Sequence, residues 1–457
     1  MKTLTRDMTK GSPMKHILSF ALAMLLGILF QQLYNMVDLM IVGKWIGVSA
    51  LAGVGNTGSL NFLIVGFCNG LGTGFAIPIS QSFGAGDYER MRKFAANSLW
   101  LSLIILPVLT VAVSFYCKDI LLIMRTPADI FNYAYDYIFI IFLGLPILYT
   151  YNLLAAIMRA LGDSKSPIIF LIISAGINVI LDIISVGVLR MGVKGPAIAT
   201  LISQFISVIL CFIFIRKKFN ILRIQKSEWR FDIRKIFTLL AMGIPMGLQY
   251  SITAIGSVVL QASVNDLGTV AVSSMTTASK MSQFLNCPYE ALGGTMATYA
   301  GQNTGAGDKK RIDKGVLSAA AIGIVYALFA FTIVFLFGKQ LSLLFLDKGE
   351  TEIISNIYKY LLINSISYIL ISGVNVIRFT IQGMGYSMLA VIAGVFEMIA
   401  RCVMGFVLVP AFGFTAACFA SPFAWLLADV FLIPAYFICR YMMQKRFDRN
   451  AGNTGTV

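Results

Sequence analysis

The sequence predicts an all-α membrane protein of twelve transmembrane helices in two pseudo-symmetric six-helix lobes. Three observations predict it. The 457-residue chain is 58% hydrophobic and only 12% charged, about half the charged share of a soluble domain, and its mean hydropathy is +0.81. It divides into about twelve apolar stretches, each near the roughly 20 residues that a bilayer-spanning helix needs. Its second half repeats its first at an offset of 221 residues. Helices rather than strands follow because lipid cannot satisfy the backbone groups of an open sheet.

In chain order, a short basic N-terminus, 1–15, precedes spans expected at 16–42, 50–80, 94–116, 131–157, 167–189 and 195–215. These form an N-lobe over 16–215. The segment 216–235, RKKFNILRIQKSEWRFDIRK, is the longest charged connection and is expected to be a cytoplasmic linker, a solvated loop with lipid-headgroup contact as a secondary role. Spans at 236–262, 269–300, 315–337, 354–382, 387–410 and 414–440 form a C-lobe over 236–440, and a tail runs over 441–457. Each break is marked by charge, Gly or Pro.

Charge sets the orientation. Alternate connections hold Lys2, Arg6, Lys10 and Lys15, then Arg90, Arg92 and Lys93, then Arg159 and Lys165, the bases of 216–235, Lys309, Lys310, Arg311 and Lys314, and those of 440–449. The opposite side holds only Lys44, Lys118, Arg125, Arg190, Lys194, Lys339 and Lys348. The positive-inside rule therefore puts both termini in the cytoplasm of a multi-pass inner-membrane protein. The net charge of +15 is spread over these loops rather than gathered in a nucleic-acid patch. Seven scattered cysteines without a CxxC pair, and the single His16, leave little for disulfides, metal binding or histidine catalysis. HExxH and GxSxG are missing, so no enzyme signature is present and no cofactor is expected. The first apolar stretch is too long for a cleavable signal and lacks its small-residue cleavage site.

The internal repeat is the strongest signal. QSFGAGDYERMRK at 81–93 matches QNTGAGDKKRIDK at 302–314, Gly47 to Ala50 matches Gly268 to Ala271, and Gly192 falls on Gly413. At an offset of 223, Gly162 falls on Gly385. Six spans per copy give parallel repeats, the architecture of transporters that rock one half against the other. The GAGD segments read as turns at span ends, with a hinge role as the alternative.

Ionisable groups inside spans cost several kcal/mol and mark function by default. In the first span Gln31, Tyr34, Asn35 and Asp38 share one helix face; in the fifth, Asn178 and Asp182 are i, i+4. At about 1.5 Å per residue, Asp38, Asp182 and Thr200 lie ~6, ~10 and ~8 Å from the outer ends of their spans. Three spans thus place oxygen ligands, suited to a hard cation, at one depth. Two nearby carboxylates in a low dielectric need a cation or a proton, so Na+ or H+ could load here. The alternative is a hydrogen-bonded helix staple. Asn35, Lys280 and Glu290 are candidates for a substrate cavity, Glu397 and Arg401 form an expected structural pair at i, i+4 with a substrate contact as the alternative, and Asp429 could pair with Arg378 across helices.

The paired GAGD turns, FQQLYNMVDLMIVGKWIG at 30–47, NVILDI at 178–183, GVKGPAIAT at 192–200 and GQNTGAGDKKRIDK at 301–314 resemble the MATE (multidrug and toxic compound extrusion) family, over essentially the whole chain and on its bacterial MepA-like and DinF-like side. The resemblance implies a Na+- or H+-coupled antiporter that exports amphipathic, often cationic compounds by alternating access. It implies a cation site on Asp38, Asn178, Asp182 and Thr200, with Tyr34 and Gln31 nearby, and Asn152, a further substrate-cavity candidate, matches a polar position of the family's fourth span; a monomer in the bilayer is expected. One departure is Ala23, where the family usually has a proline. The repeat maps Asp38 onto Val259, Asn178 onto Arg401 and Asp182 onto Gly405, so the second lobe is expected to lack an equivalent ion site. The competing reading is a lipid or lipid-linked precursor flippase of the same superfamily, against which the twelve spans and the acidic first lobe argue.

Overall fold

A computed structural model describes residues 6–124, 126–343 and 349–454. Lys2, Arg125 and Lys348, counted above for orientation, lie outside these residues, as does the end of the 441–457 tail. Among the described residues there is no strand.

The helices are α1 Pro13–Trp45, α2 Val48–Asn56, α3 Gly58–Gly84, α4 Tyr88–Phe115, α5 Cys117–Ile123, α6 Ala128–Leu143, α7 Leu145–Ala160, α8 Lys165–Asp182, α9 Lys194–Lys218, α10 Ile233–Asn265, α11 Thr269–Gly305, α12 Lys309–Ser342, α13 Thr351–Ile366, α14 Tyr368–Gly383, α15 Ser387–Val403, α16 Val409–Phe412 and α17 Phe414–Thr454. Each of the twelve expected spans falls on one of these or on an adjacent group. Among the described residues, nine are continuous helical stretches long and apolar enough to cross a bilayer, and two more are bent pairs, α6 with α7 at 52° and α13 with α14 at 51°. The twelfth, α11, has the length at 37 residues but is more polar, with Lys280 and Glu290 along it.

The bends have local causes. Between α6 and α7, Gly144 is followed by Pro146, which has no N–H to continue the ladder. Gly144 also admits Leu201 of α9, whose Cδ2 would lie 1.9 Å from any Cβ added there. Between α13 and α14, the hydroxyls of Ser365 and Ser367 donate back to the carbonyls of Leu362 and Ile363, which loosens the ladder.

The repeat is written in the backbone. The left-handed glycines pair as Gly47 with Gly268, Gly86 with Gly307, Gly162 with Gly385 and Gly192 with Gly413. In GAGD the third residue turns the chain, with φ of 73° at both Gly86 and Gly307. The aspartate then caps the next helix: Asp87 accepts from the Arg90 amide and Asp308 from the Arg311 amide, both at 2.9 Å. The Asp87 and Asp308 amides bond back to Ser82 and Asn303 at 3.0 Å. This closes a helix end and opens the next in four residues. Each repeat also winds into a π-helical turn near the end of its fifth span, at Ile183–Val188 and Met404–Leu408.

The chain divides into two compact units, one of Met1–Asp7 and Leu26–Gly247, the other of Met8–Leu25 and Leu248–Val457. This differs from the lobes expected at 16–215 and 236–440. The first helix of each repeat is split, and its beginning packs with the other repeat. In the first unit Gly70 and Gly74 of α3 meet Gly243 and Gly247 of α10 backbone to backbone. A Cβ on Gly74 would lie 2.5 Å from the Gly243 Cα. Small residues four apart permit this approach. In the second unit Met8, Ile17, Phe20 and Ala21 pack on Leu292, Met296, Tyr299 and Val376. Ala23 lies in an unbroken α1.

The segment 216–235 is not a solvated loop. Phe219 and Leu222 enter the core of the first unit. Arg92 of α4 donates to both Glu228 oxygens, at 2.8 and 2.9 Å. Asn97 bonds both the Arg230 carbonyl and the Asp232 amide, and Trp100 donates to the Trp229 carbonyl. The linker is docked because a buried carboxylate, the Asn97 and Trp100 hydrogen bonds and the buried Phe219 and Leu222 hold it, which its overall charge conceals.

Candidate functional site

One group of buried polar side chains in the first unit gathers where α1, α8 and α9 meet. On α8, Ser174, Asn178 and Asp182 form an i, i+4, i+8 stripe, exposed by 2%, 1% and 0%. Asp182 is the last residue before the π-helical turn. Such turns release carbonyls from the regular ladder and recur at functional sites. Opposite stands α9, with Thr200 and Gln204 both buried. The Asn178 amide faces the Thr200 hydroxyl at 3.5 Å, the long limit of a hydrogen bond.

From α1, Asp38 is 6% exposed and its carboxyl reaches that of Asp182. Tyr34, one turn earlier, is half-buried, meets Thr200 and lies beside both carboxyls. The sequence-derived group Asp38, Asn178, Asp182, Thr200 and Tyr34 is therefore brought together. Gln31 and Asn35 are not part of it; both are exposed on α1. Two further residues were missed. Tyr137 of α6 lies within electrostatic reach of Asp38, Tyr34 and Asp182. Nothing in its local sequence distinguishes it from other tyrosines of that span. Gln204 is signalled by its i+4 spacing from Thr200.

The donor balance of this group is unusual. Asp38 Oδ1, both Asp182 oxygens, Asn178 Oδ1 and Gln204 Oε1 are buried with no hydrogen-bond donor among the described residues. No described ion pair involves Asp38 or Asp182. Buried acceptors without donors are costly. All five atoms are hard oxygens, and no cluster of three His, Cys, Asp or Glu side chains occurs among the described residues. The set therefore fits a proton or an alkali cation rather than a transition metal.

The second unit carries the same crossing without the carboxylates. A Cβ on Gly405, the counterpart of Asp182, would lie 2.9 Å from Ser263 Oγ and 3.5 Å from the carbonyl of Val259, the counterpart of Asp38. The two positions are neighbours again, and helix packing closes the space. The buried charges of this unit sit elsewhere. Glu397 is bonded by Arg378 of α14 and is 3.9 Å from Arg401. The expected Glu397–Arg401 pair is thus the looser half of a three-residue cluster, and Arg378 bonds Glu397 directly while reaching Asp429 only through its charge. The reason is reach: Arg378 and Glu397 face each other across α14 and α15. Asp429 is buried beside Gly373, with Oδ1 lacking a donor. Of the cavity candidates, Lys280 and Glu290 are exposed on α11, and half-buried Asn152 donates to the Leu148 carbonyl one turn earlier.

Comparisons with known proteins agree with this architecture. The MatE family model matches the chain twice, over 23–184 and 245–407, once per repeat. The chain is 26% identical over 402 residues to the probable multidrug resistance protein YoeA of Bacillus subtilis, covering 86% of each chain. It is 22% identical to the multidrug export protein MepA of Staphylococcus haemolyticus, over 84% of this chain and 85% of that one. Among solved structures, a MATE protein crystallised in complex with MaL6 superposes with a TM-score of 0.90 at 22% identity, covering 97% of this chain and 100% of that one.

Proposed function

This chain belongs to the MatE family of membrane transporters, and on that premise we propose that it is a cation-coupled antiporter that exports amphipathic or cationic compounds. Its coupling ion is Na+ or H+, held on Asp38, Asn178, Asp182 and Thr200. It works by alternating access, as a multi-pass protein of the inner membrane with both termini in the cytoplasm. The observation that carries the reading is the buried pair Asp38 and Asp182, in reach of each other and with no basic partner among the described residues. Two carboxylates so placed cannot both be ionised in a low dielectric unless a cation joins them. The empty pair is therefore unstable, and it takes up a proton or a cation whenever one is accessible.

Such a site couples if it meets one surface when loaded and the other when released. Each charge moved through a 100 mV potential supplies about 2.3 kcal/mol, a gradient of roughly fiftyfold in the exported compound. Tyr34 and Tyr137 offer hydroxyls that follow the change in charge. Export of drugs is supported by the similarity to multidrug resistance and multidrug export proteins, and the oxygen-only donor set supports the coupling.

In cells loaded with a cationic dye, Asp38→Asn and Asp182→Asn are expected to abolish energy-dependent efflux while membrane insertion stays at the wild-type level. Normal efflux by both variants would remove the site. Loss of insertion would mark the pair as the helix staple instead.

A further inference from the structure

The repeat makes one asymmetry visible outside the membrane core. Arg311, at the start of α12, is consumed by its own chain. Its guanidinium donates to the carbonyls of Met8, Lys10 and Gly11 and to Asn303. Its counterpart at the start of α4, Arg90, has no polar side-chain partner among the described residues and lies 5.6 Å above the ring of Phe94. Arg90 opens instead on a cavity of about 380 Å³ that it shares with Lys93, Arg234 and Lys235, and with Asp87 and Glu89. That is room for roughly a dozen waters, enough for a phosphoglycerol head.

The charge of this cavity is incompletely balanced. Lys93 pairs with Glu89, and Lys235 with Asp232. Asp87 caps α4, and Asp232 caps α10 through the amides of Arg234 and Lys235. The guanidinium groups of Arg90 and Arg234 have no acidic partner among the described residues. The N-terminal ends of α4 and α10, helices of 28 and 33 residues, add partial positive charge at the same place. The end of the docked linker and the first turns of α10 present Trp229, Phe231, Ile233 and Phe237, exposed by 41%, 55%, 54% and 65%, with Phe237 adjacent in sequence to Thr238 of the cavity wall. Aromatic side chains flanked by bases are how a protein surface sits at the boundary of headgroups and acyl chains.

We propose that the cavity between the first turns of α4 and α10 is a binding site for the headgroup of an anionic glycerophospholipid. Arg90 and Arg234 hold its phosphate, and Trp229, Phe231 and Phe237 lie along its acyl chains. The site is separate from the carboxylate pair and stands whether or not that pair couples transport. Basic pockets beside membrane helices recognise headgroups in this way. The apolar rim selects a lipid over a free phosphate, which would leave these aromatic faces in water.

The test uses the full chain in nanodiscs of phosphatidylcholine carrying a small fraction of brominated lipid. Quenching of Trp229 is read as the difference between wild type and Trp229→Phe. Brominated phosphatidylglycerol is expected to quench several-fold more than brominated phosphatidylcholine at equal fraction. The preference should fall about fivefold per guanidinium removed in Arg90→Gln and in Arg90→Gln/Arg234→Gln, and persist in Lys309→Gln/Lys310→Gln. Equal quenching by the two lipids in wild type would overturn the proposal, whatever the folding of the variants. So would an undiminished preference in Arg90→Gln/Arg234→Gln, or an equal loss in the Lys309 and Lys310 control. Competition by millimolar glycerol phosphate would make this a site for soluble phosphate and overturn it as well.

Discussion

At the scale of single residues, the first unit holds a carboxylate pair with no basic side chain paired to it among the described residues, and the second holds a carboxylate bracketed by two arginines. Removing one partner of a buried ion pair strands the other, at a cost of about 3–5 kcal/mol. Glu397→Ala, which leaves Arg378 and Arg401 uncompensated, is expected to lower the thermal unfolding temperature in detergent well below that of Arg401→Gln. Equal shifts would contradict the assignment of Arg378 as the main partner. Around the first pair, Tyr34→Phe removes a hydroxyl that meets Thr200, a contact worth about 1 kcal/mol, and Tyr137→Phe removes one within electrostatic reach of both carboxyls. Coupled transport should fall by about fivefold with insertion unchanged; unaffected transport would detach these hydroxyls from the site. Asp38, Asn178, Asp182 and Thr200 were legible from helical spacing and depth alone. Tyr137 was not, because its role comes from where α6 packs, which no local pattern encodes. The partner of Glu397 was misjudged for the same reason: i, i+4 spacing is visible in a sequence and a cross-helix contact is not.

At the scale of elements, two connections carry more order than their composition suggests. Gly74 lets the backbones of α3 and α10 touch, so Gly74→Val must push them apart. The expected result is a protein that inserts but unfolds at lower temperature, while Gly55→Val, where a Cβ meets nothing within 4 Å, is tolerated. The linker is docked through Glu228, whose carboxyl the Arg92 hydrogen bond holds below the usual range against its burial. A depressed carboxylate stabilises above its unfolded value and loses that contribution as pH falls through the folded one. Hydrogen exchange of the Gln225 amide, which donates to Glu228, should therefore stay slow at neutral pH after correction for the intrinsic rate. It should speed up only below the ordinary glutamate range, and earlier in Arg92→Gln. Protection independent of pH would contradict the docking role. The apolar stretches announced the twelve spans, but a loop rich in lysine and arginine reads as solvated whether or not it is pinned.

At the scale of the whole molecule, duplication explains the matched turns, the two bent spans and the two π-helical segments. Divergence explains why only one copy keeps acids at the α1–α8 crossing. The offset of 221 residues was readable because turn glycines resist substitution. The division of the chain into its two units was not, since nothing in α1 or α10 marks where its packing changes sides. The central claim is that Asp38 and Asp182 couple ion entry to export, and transport in proteoliposomes tests it most directly. With an imposed Na+ or H+ gradient, wild type should drive a cationic dye against its own gradient, and the drive should vanish in Asp38→Asn and in Asp182→Asn. Gradient-driven accumulation that survives in the Asp38→Asn/Asp182→Asn double variant would contradict the account.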